Sequence, residues 1–330
     1  MKVTFFSTQP YDRKSFEQHN ERYGFDIKYL EVQLNEQTAS LAQGADAVCA
    51  FVNDRVNETI IKQLTSYGIR VLALRCAGFN NVNLNAAREN NLTIVRVPAY
   101  SPHAVAEHAV AMIMTLNRKI HKAYNRIREQ NFSLNGLLGF DLFEKTVGVI
   151  GTGNIGDVFC RIMLGFGCRV LAFDIRQNEE LIKMGIEYST VEKLLPQCDI
   201  ISLHCPLNEH TKYLINDRTI ELMKDHVMLI NTSRGGLIDT RTVVKGLKSG
   251  KIGSLGIDVY EQEEKLFFRD LSEAIIEDDV ISRLSSFPNV LITAHQGFFT
   301  SEALTQIAET TLSNLKRFRD KQPAVNEVKV

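Results

Sequence analysis

Little in this 330-residue chain suits a fibre, a membrane protein or a disulfide scaffold. Proline contributes 7 residues and glycine 20, near or below the ~5% and ~7% of ordinary proteins, which excludes collagen and low-complexity sequence. The longest apolar runs, such as Ala109 to Leu116, fall far short of the ~18 to 20 residues that span a bilayer, so no membrane anchor is expected. Met1 to Pro10 carry one lysine and a short apolar run, well below the apolar core of a signal peptide, so a cytoplasmic location is expected. Neither sign of charge dominates. Lys plus Arg number 38 against 39 Asp plus Glu, a formal net charge of −1, which lacks the basic surplus of a general nucleic-acid binder. The six cysteines (Cys49, Cys76, Cys160, Cys168, Cys198 and Cys205) are scattered, form no C-x-x-C pair and mostly lie in or beside apolar runs. They read as reduced, buried thiols.

The length does favour about two domains, at ~150 residues each. Short β-branched and aromatic runs at Lys2–Ser7, Phe25–Leu30, Ala47–Val52, Val71–Cys76 and Thr93–Val97 alternate with helical patterns near Lys14–Tyr23, Glu58–Tyr67 and Leu84–Glu89. That rhythm predicts βαβ units and a parallel sheet covered by helices on both faces. It breaks at Ser101-Pro102, a helix cap followed by proline at the first helical position, which opens an apolar-periodic segment through about Arg128. A helix of that length exposes more apolar surface than one small domain covers, so part of it is expected to pack against a second copy of the chain. The alternative is a core helix wholly within one chain. A second strand series follows at Val147–Ile150, Arg169–Asp174, Ile200–Cys205, Val227–Asn231, Ser254–Val259 and Val290–Thr293, then a last helix near Ser301–Arg319. No repeat of 20 to 50 residues accompanies it.

The first strand of the second series runs into Gly151-Thr152-Gly153-Asn154-Ile155-Gly156, a G-x-G-x-x-G opening a helical pattern. Gly151 permits the tight turn, Gly153 lets the backbone approach a pyrophosphate, and Gly156 allows close helix–strand packing, while the helix N-terminus attracts the negative charge. The next strand ends in Asp174, 18 residues beyond Gly156, where an acid can accept hydrogen bonds from both ribose hydroxyls. It also repels a 2′-phosphate, so NAD is expected over NADP, although Arg176 two residues on partly offsets that repulsion.

Three further polar groups stand at or just beyond later strand ends: Arg234 in Asn231-Thr232-Ser233-Arg234-Gly235-Gly236, Glu263 in Asp258-Val259-Tyr260-Glu261-Gln262-Glu263, and His295 in Thr293-Ala294-His295-Gln296. Ligands bind at that edge of open α/β sheets. Taken singly, the arginine reads as a surface ion-pair partner, the glutamate as part of a solvated acidic stretch, and the histidine as a satisfied strand-end residue. Together with Cys76-Ala77-Gly78-Phe79-Asn80, Val97-Pro98-Ala99-Tyr100-Ser101-Pro102, the glycine fingerprint and His204-Cys205-Pro206-Leu207, they occur in one order across nearly the whole chain. In these motifs the sequence resembles the D-specific 2-hydroxyacid dehydrogenases, and among them the fermentative NAD-dependent D-lactate dehydrogenases.

The resemblance implies two doubly wound parallel-sheet domains: a Rossmann cofactor domain over residues 100–297, inserted into a discontinuous flavodoxin-like substrate domain over 1–99 and 298–330. It implies that Arg234 binds the substrate carboxylate and carbonyl, that Glu263 partners His295, and that His295 passes the proton. It further places Asn154, Ile155, Cys205, Pro206, Thr211, Thr232, Ser233 and Asp258 around the cofactor, with Gly78, Tyr100 and Phe298 around the substrate. The chemistry is coherent. A guanidinium fork suits an anionic 2-oxoacid, charge developing on the carbonyl oxygen during hydride transfer must meet a proton, and a carboxylate beside an imidazole favours its protonated form. Phe298-Phe299 after the histidine favours a small substrate, pyruvate or D-lactate, although a methylene discriminates by only ~1 to 3 kcal/mol. Glu261 and Glu264 leave the register at Glu263 open from composition, and the resemblance implies Glu263, whose spacing from Asp258 matches the family's pattern.

His204 is a rival histidine, read as part of the cofactor surroundings. His103, Glu107 and His108 miss the spacing of a zinc motif by one residue, and no metal is expected. The expected function is reversible reduction of pyruvate to D-lactate with NADH by a homodimer or higher homo-oligomer. The alternatives are another 2-oxoacid substrate, or a non-catalytic NAD-sensing protein.

Overall fold

The computed structural model describes residues 1–329, apart from the side chain of Lys265. The chain divides into two compact units, one formed by residues Met1–Ser101 and Phe299–Val330, the other by Pro102–Phe298. These divisions fall one or two residues beyond the expected boundaries, so Tyr100 and Ser101 join the first unit and Phe298 the second.

In chain order the first unit contains β1 (Lys2–Phe5), α1 (Pro10–Asn20), β2 (Asp26–Tyr29), β3 (Ala47–Ala50), α2 (Glu58–Ser66), β4 (Val71–Leu74), α3 (Leu84–Glu89) and β5 (Thr93–Arg96). The second contains α4 (Pro102–Arg118), α5 (Ile120–Arg128), β6 (Thr146–Ile150), α6 (Asn154–Gly165), β7 (Arg169–Phe173), α7 (Glu179–Lys183), β8 (Glu187–Tyr188), α8 (Val191–Leu194), β9 (Ile200–Leu203), α9 (Asp217–Leu222), β10 (Val227–Asn231), α10 (Thr240–Ser249), β11 (Ile252–Ile257), α11 (Asp279–Ser285) and β12 (Val290–Ile292). The chain then returns to the first unit as α12 (Ser301–Arg319).

The first unit's sheet has the order β2-β1-β3-β4-β5, all parallel, the flavodoxin-like arrangement. β3 and β4 are buried on both faces, and the turn that starts α2 is closed by Asn57, whose side chain accepts from the Ile60 amide at 3.0 Å. Arg75 follows β4 and is fully buried. It donates to the carbonyls of Phe6 (2.9 Å) and Ser7 (2.6 Å), meets Asp12 at 3.3 Å and lies over the Phe51 ring at 4.6 Å. One guanidinium thereby ties together the loops that follow β1, β3 and β4.

The second unit's sheet runs β12-β11-β10-β9-β6-β7-β8, again wholly parallel. The chain winds one way from β6 to β8 and the other way from β9 to β12, so the switch point lies between β6 and β9. The short β8 has no counterpart in the strand pattern read from the sequence. The segment 101–128 also differs from expectation: Lys119 takes a left-handed φ of 51° and splits it into α4 and α5. α4 is a core helix, burying Ala106, Ala109, Met112 and Ile113 against the sheet and α6. α5 buries no residue at all.

Removing one partner of a buried ion pair costs ~3–5 kcal/mol because the other charge is left uncompensated. Arg75→Met should therefore destabilise the protein by about that much, read as a lowered urea midpoint in circular dichroism. A midpoint unchanged within error would show that Asp12 and the neighbouring buried Asp54 do not depend on this cation.

Candidate active site

The glycine turn sits at the switch point. Gly151 has φ +97°, and a Cβ there would lie 2.6 Å from the Cys205 amide nitrogen, so the loops after β6 and β9 approach too closely for any side chain. At Gly156 a Cβ would meet the Gly151 carbonyl oxygen at 1.9 Å. Gly153 is the reverse case: a Cβ would meet nothing within 4 Å, and this residue caps α6 without a side-chain hydrogen bond. The first-turn amides of α6, including those of Asn154 and Ile155, are thus presented to open space at the positive end of the helix dipole.

Asp174 follows β7 and is tied to the glycine turn itself, one oxygen accepting from the Thr152 amide (2.6 Å) and the other from Arg176 N–H (3.0 Å). Two oxygens with one backbone donor each keep lone pairs for further hydroxyl donors. Beside them a cavity of about 510 Å³ is lined by Ile150, Phe173, Ile175, Cys205 and Thr211, among others. Thr211 is fixed by its hydroxyl donating to the Pro206 carbonyl at 2.6 Å. Ser233 donates to the Cys205 carbonyl at 2.7 Å, and the hydroxyl of Thr232 is buried without a hydrogen-bond partner among the described residues. An orphaned hydroxyl, an open helix N-terminus, an anchored acid and an apolar cleft together fit a dinucleotide.

β10, β11 and β12 are neighbours, and the loops after them carry the three proposed reacting groups. Asn231 closes the turn after β10, donating to the Arg234 carbonyl at 2.9 Å and accepting from Ser233 N–H at 3.0 Å. Gly235 is required here, since a Cβ would lie 2.1 Å from the Tyr260 carbonyl carbon. The half-buried Arg234 guanidinium donates to the Ser233 carbonyl at 2.6 Å, and among the described residues no carboxylate pairs with it. It is not the surface ion-pair arginine that its type and position alone suggest.

Glu263 accepts from His295 Nδ1 at 2.9 Å through one oxygen and from the Tyr260 amide at 3.0 Å through the other. Its neighbour Glu261 instead binds the hydroxyl and amide of Thr240 at the start of α10, and Glu264 is exposed. Of the three acids, Glu263 is the one bonded to His295. Because Nδ1 carries the hydrogen bond to Glu263, Nε2 of His295 is the ring atom left to exchange a proton. His295 itself has a left-handed φ of 53°, held by its amide donating to the Asp258 carbonyl at 2.8 Å.

The same aspartate's buried carboxylate accepts from the amides of Gln296 and Gly297, both at 2.8 Å, and from the Thr293 hydroxyl at 2.5 Å. Asp258, read from the sequence as a cofactor neighbour, also anchors the turn that carries His295. Thr293 and Gly235 were not singled out from the sequence, because their partners Asp258 and Tyr260 lie at separations that no local pattern encodes.

His204 lies behind the glycine turn against Phe159 (4.7 Å between rings), and its Nε2 meets the Ser202 hydroxyl at 2.9 Å. Desolvation pushes its pKa down to about 3, so the ring is neutral at ordinary pH. Phe298 is buried at the end of the second unit. Gly78 and Tyr100 belong to the first unit, in the loops after β4 and β5, where the carbonyl of Gly78 accepts from the Cys76 thiol at 3.3 Å. All six cysteines are free and buried. Among the described residues no group of three or more His, Cys, Asp or Glu could hold a metal ion, and no helix is long and apolar enough to cross a membrane.

A family model described as the NAD binding domain of D-isomer specific 2-hydroxyacid dehydrogenase matches residues 110–297. The chain belongs to the D-isomer-specific 2-hydroxyacid dehydrogenases. It is 51% identical to a D-lactate dehydrogenase of Escherichia coli (strain K12), over 99% of this chain and 100% of that protein. It is 52% identical to 2-hydroxyacid dehydrogenase homolog 1 of Schizosaccharomyces pombe, over 96% of each. The apo-structure of D-lactate dehydrogenase from Escherichia coli superimposes with a TM-score of 0.92 at 49% identity, covering 100% of both chains. This 2-hydroxyacid dehydrogenase is accordingly an NAD-dependent enzyme of two parallel-sheet α/β domains.

Because His204 titrates near 3 when folded and at an ordinary 6.5 when unfolded, the unfolded chain binds its proton first. Stability therefore rises with pH between these values and falls as pH drops from about 6.5, at ~1.4 kcal/mol per pH unit from this one group. His204→Gln should flatten the decline of the urea midpoint between about pH 7 and about pH 4. Parallel curves for the two proteins would show that His204 titrates alike in both states.

Proposed function

We propose that this dehydrogenase reduces pyruvate to D-lactate with NADH, reversibly, using Arg234, Glu263 and His295. The observation that carries this reading is the hydrogen-bonded pair of His295 and Glu263 (2.9 Å), on loops adjoining the one that holds an arginine with no acidic partner among the described residues. The full-length similarity to a D-lactate dehydrogenase supports pyruvate as the 2-oxoacid.

NAD, when bound, supplies the hydride donor or acceptor. The α6 amides at Asn154 and Ile155 would hold its pyrophosphate, Asp174 its adenosine ribose, and the cleft beside Cys205, Pro206 and Thr211 its adenine, with Thr232 and Ser233 further along the strand ends. Arg234 offers two parallel N–H donors to a carboxylate and orients the neighbouring carbonyl. During reduction the carbonyl oxygen gains negative charge, and His295 donates the Nε2 proton to it. In the opposite direction Nε2 takes the proton from the hydroxyl. Glu263 keeps Nδ1 protonated, fixes the ring plane and offsets the charge of the imidazolium. Gly78, Tyr100 and Phe298 are the proposed substrate-binding residues.

We also infer that the enzyme works as a homodimer formed through α5 and the arm that follows it. The arm's backbone is pinned to its own chain: Asn117 bonds Phe140 in both directions (2.7 and 2.8 Å), Lys119 donates to the carbonyls of Gly136 (3.0 Å) and Leu138 (2.9 Å), and Arg126 to that of Asn135 (2.7 Å). Its apolar side chains nevertheless face outward, Leu134 at 82% and Leu138 at 88% exposed, beside Ile120, Tyr124 and Ile127 on α5. An ordered segment that leaves its apolar side chains in water matches a surface awaiting a partner. The expected docking of the long helix thus shifts to α5 and residues 129–143, since α4 is covered within its own unit. A cytoplasmic, fermentative role remains part of the same reading.

The first test is loss of NADH absorbance on adding pyruvate, with the chirality of the product determined. Rapid turnover to D-lactate is expected. His295→Gln should lower kcat by about 100- to 10,000-fold, whereas Arg234→Gln should both raise the KM for pyruvate and lower kcat. Near-parental kinetics in either variant would overturn its assigned role, and NADH binding without turnover on pyruvate or longer 2-oxoacids would favour a non-catalytic sensor. For the assembly, Ile127→Asp with Leu138→Asp should convert a dimer to a monomer in light scattering. An unchanged mass would place the interface elsewhere.

A further inference from the structure

His108 lies on α4, far in sequence from the reacting groups, and the chemistry above gives it no task. Its side chain is 16% exposed, with Nε2 at 3.1 Å from the Thr293 hydroxyl and 3.4 Å from a carboxylate oxygen of Asp258. Proton accounting fixes the direction of these contacts. The single proton of the Thr293 hydroxyl goes to Asp258 at 2.5 Å, so toward His108 this oxygen can only accept. Nε2 of His108 therefore carries a hydrogen, shared between the hydroxyl oxygen and the carboxylate.

The carboxylate that receives it is 2% exposed. Burial opposes ionisation of Asp258, and the hydrogen bonds from His108 and Thr293 outweigh it, so the carboxyl titrates below its ordinary range. As an anion it holds the amides of Gln296 and Gly297, while its own carbonyl holds the amide of His295. Those bonds maintain a left-handed backbone at His295, a conformation unfavourable for a non-glycine residue that persists only where its surroundings impose it. Gly297 seals the arrangement: a Cβ there would stand 3.0 Å from the Asp258 carboxylate and 3.5 Å from the His108 ring. α4 is the first element after the chain enters the second unit, and residues 293–298 are the last before it leaves. His108 joins these two segments at the residue that carries the catalytic turn.

We propose that His108 is a positioning residue of the reaction: by donating from Nε2 to Thr293 and Asp258 it fixes the turn that presents His295. The inference rests on the reading in which His295 passes the proton. A lost donor leaves a buried carboxylate short of one partner, and the turn relaxes around it. Small displacements of a reacting group reduce kcat without weakening ligand binding.

The test compares His108→Leu, which keeps apolar bulk and removes the donor, with His108→Gln, whose amide can donate from a similar position. With pyruvate and NADH, H108L should lose about 10- to 100-fold in kcat, with the KM for pyruvate and the NADH affinity from fluorescence titration within about twofold of the parent. H108Q should recover most of the loss, which general damage to packing would not permit. Thr293→Val removes the relaying hydroxyl and should reproduce the kcat defect, so it decides the matter if H108L does not fold. A kcat within about twofold of the parent in H108L, or in T293V where H108L does not fold, overturns the proposal, as does an H108Q enzyme as slow as H108L. His295→Gln is assayed alongside. If it retains activity, the assignment of His295 has failed, whereas an inactive H295Q beside a fully active H108L removes only the role given to His108.

Discussion

In a sheet whose strands all run the same way, every loop that leaves a strand emerges on one edge. The seven parallel strands of the second unit impose this constraint on the whole site. The glycine turn, Asp174, Cys205, Arg234, Glu263 and His295 come from six different loops, yet parallel pairing of β12-β11-β10-β9-β6-β7 sets them along one line. The switch point between β6 and β9 divides that line. On one side stand the glycine turn and Asp174, and on the other a cation, an acid and an imidazole.

The structure also distributes charge by depth. His204 and His295 both stand at strand ends in the same unit, and their types give no reason to treat them differently. His204 is packed against Phe159 with a hydroxyl as its polar neighbour, and desolvation makes its charged form inaccessible. His295 is part-buried with a carboxylate on Nδ1, so a charge on the ring is compensated where it forms. The desolvation that disqualifies one imidazole from proton transfer, and the partner that equips the other, come from long-range packing.

That distinction explains which features were legible in the sequence. The turn's own demands are local: Gly151 has φ +97° and a Cβ on Gly156 would meet the Gly151 carbonyl oxygen, so any chain building the same turn shows the same letters. The strand–helix rhythm is equally local, and it yielded both sheets except the two-residue β8, which is too short to carry an alternation. Asp174 and the three strand-end groups were visible because a βαβ chain places them at predictable offsets from apolar runs. The break at Lys119 was invisible, since a lysine in left-handed conformation carries no glycine or proline signal and is stabilised by contacts to Gly136 and Leu138. Arg75 looked like any strand-end arginine, and its burial depends on carbonyls almost 70 positions away. The family's spacing from Asp258 selects Glu263 over Glu261, and in the structure Glu261 is occupied by Thr240.

Asp258 shows why a residue's type and neighbourhood underdetermine its work. From the sequence it is an acid at the end of a strand in a cofactor domain, and a ribose or a nicotinamide is the natural partner to imagine. In the structure it also holds the turn around His295, one oxygen accepting from the Thr293 hydroxyl and the Gln296 amide and the other from the Gly297 amide. A buried carboxylate is costly unless its hydrogen bonds are supplied, and here the donors are the peptide groups whose conformation the reaction needs. The dependence runs both ways. The turn holds its left-handed residue because the carboxylate is there, and the carboxylate stays ionised because the turn, Thr293 and His108 surround it with donors. The proton-transfer group proposed at His295 is thus held by its backbone turn as well as by Glu263 on Nδ1 and the Phe268 ring 6.0 Å from its own.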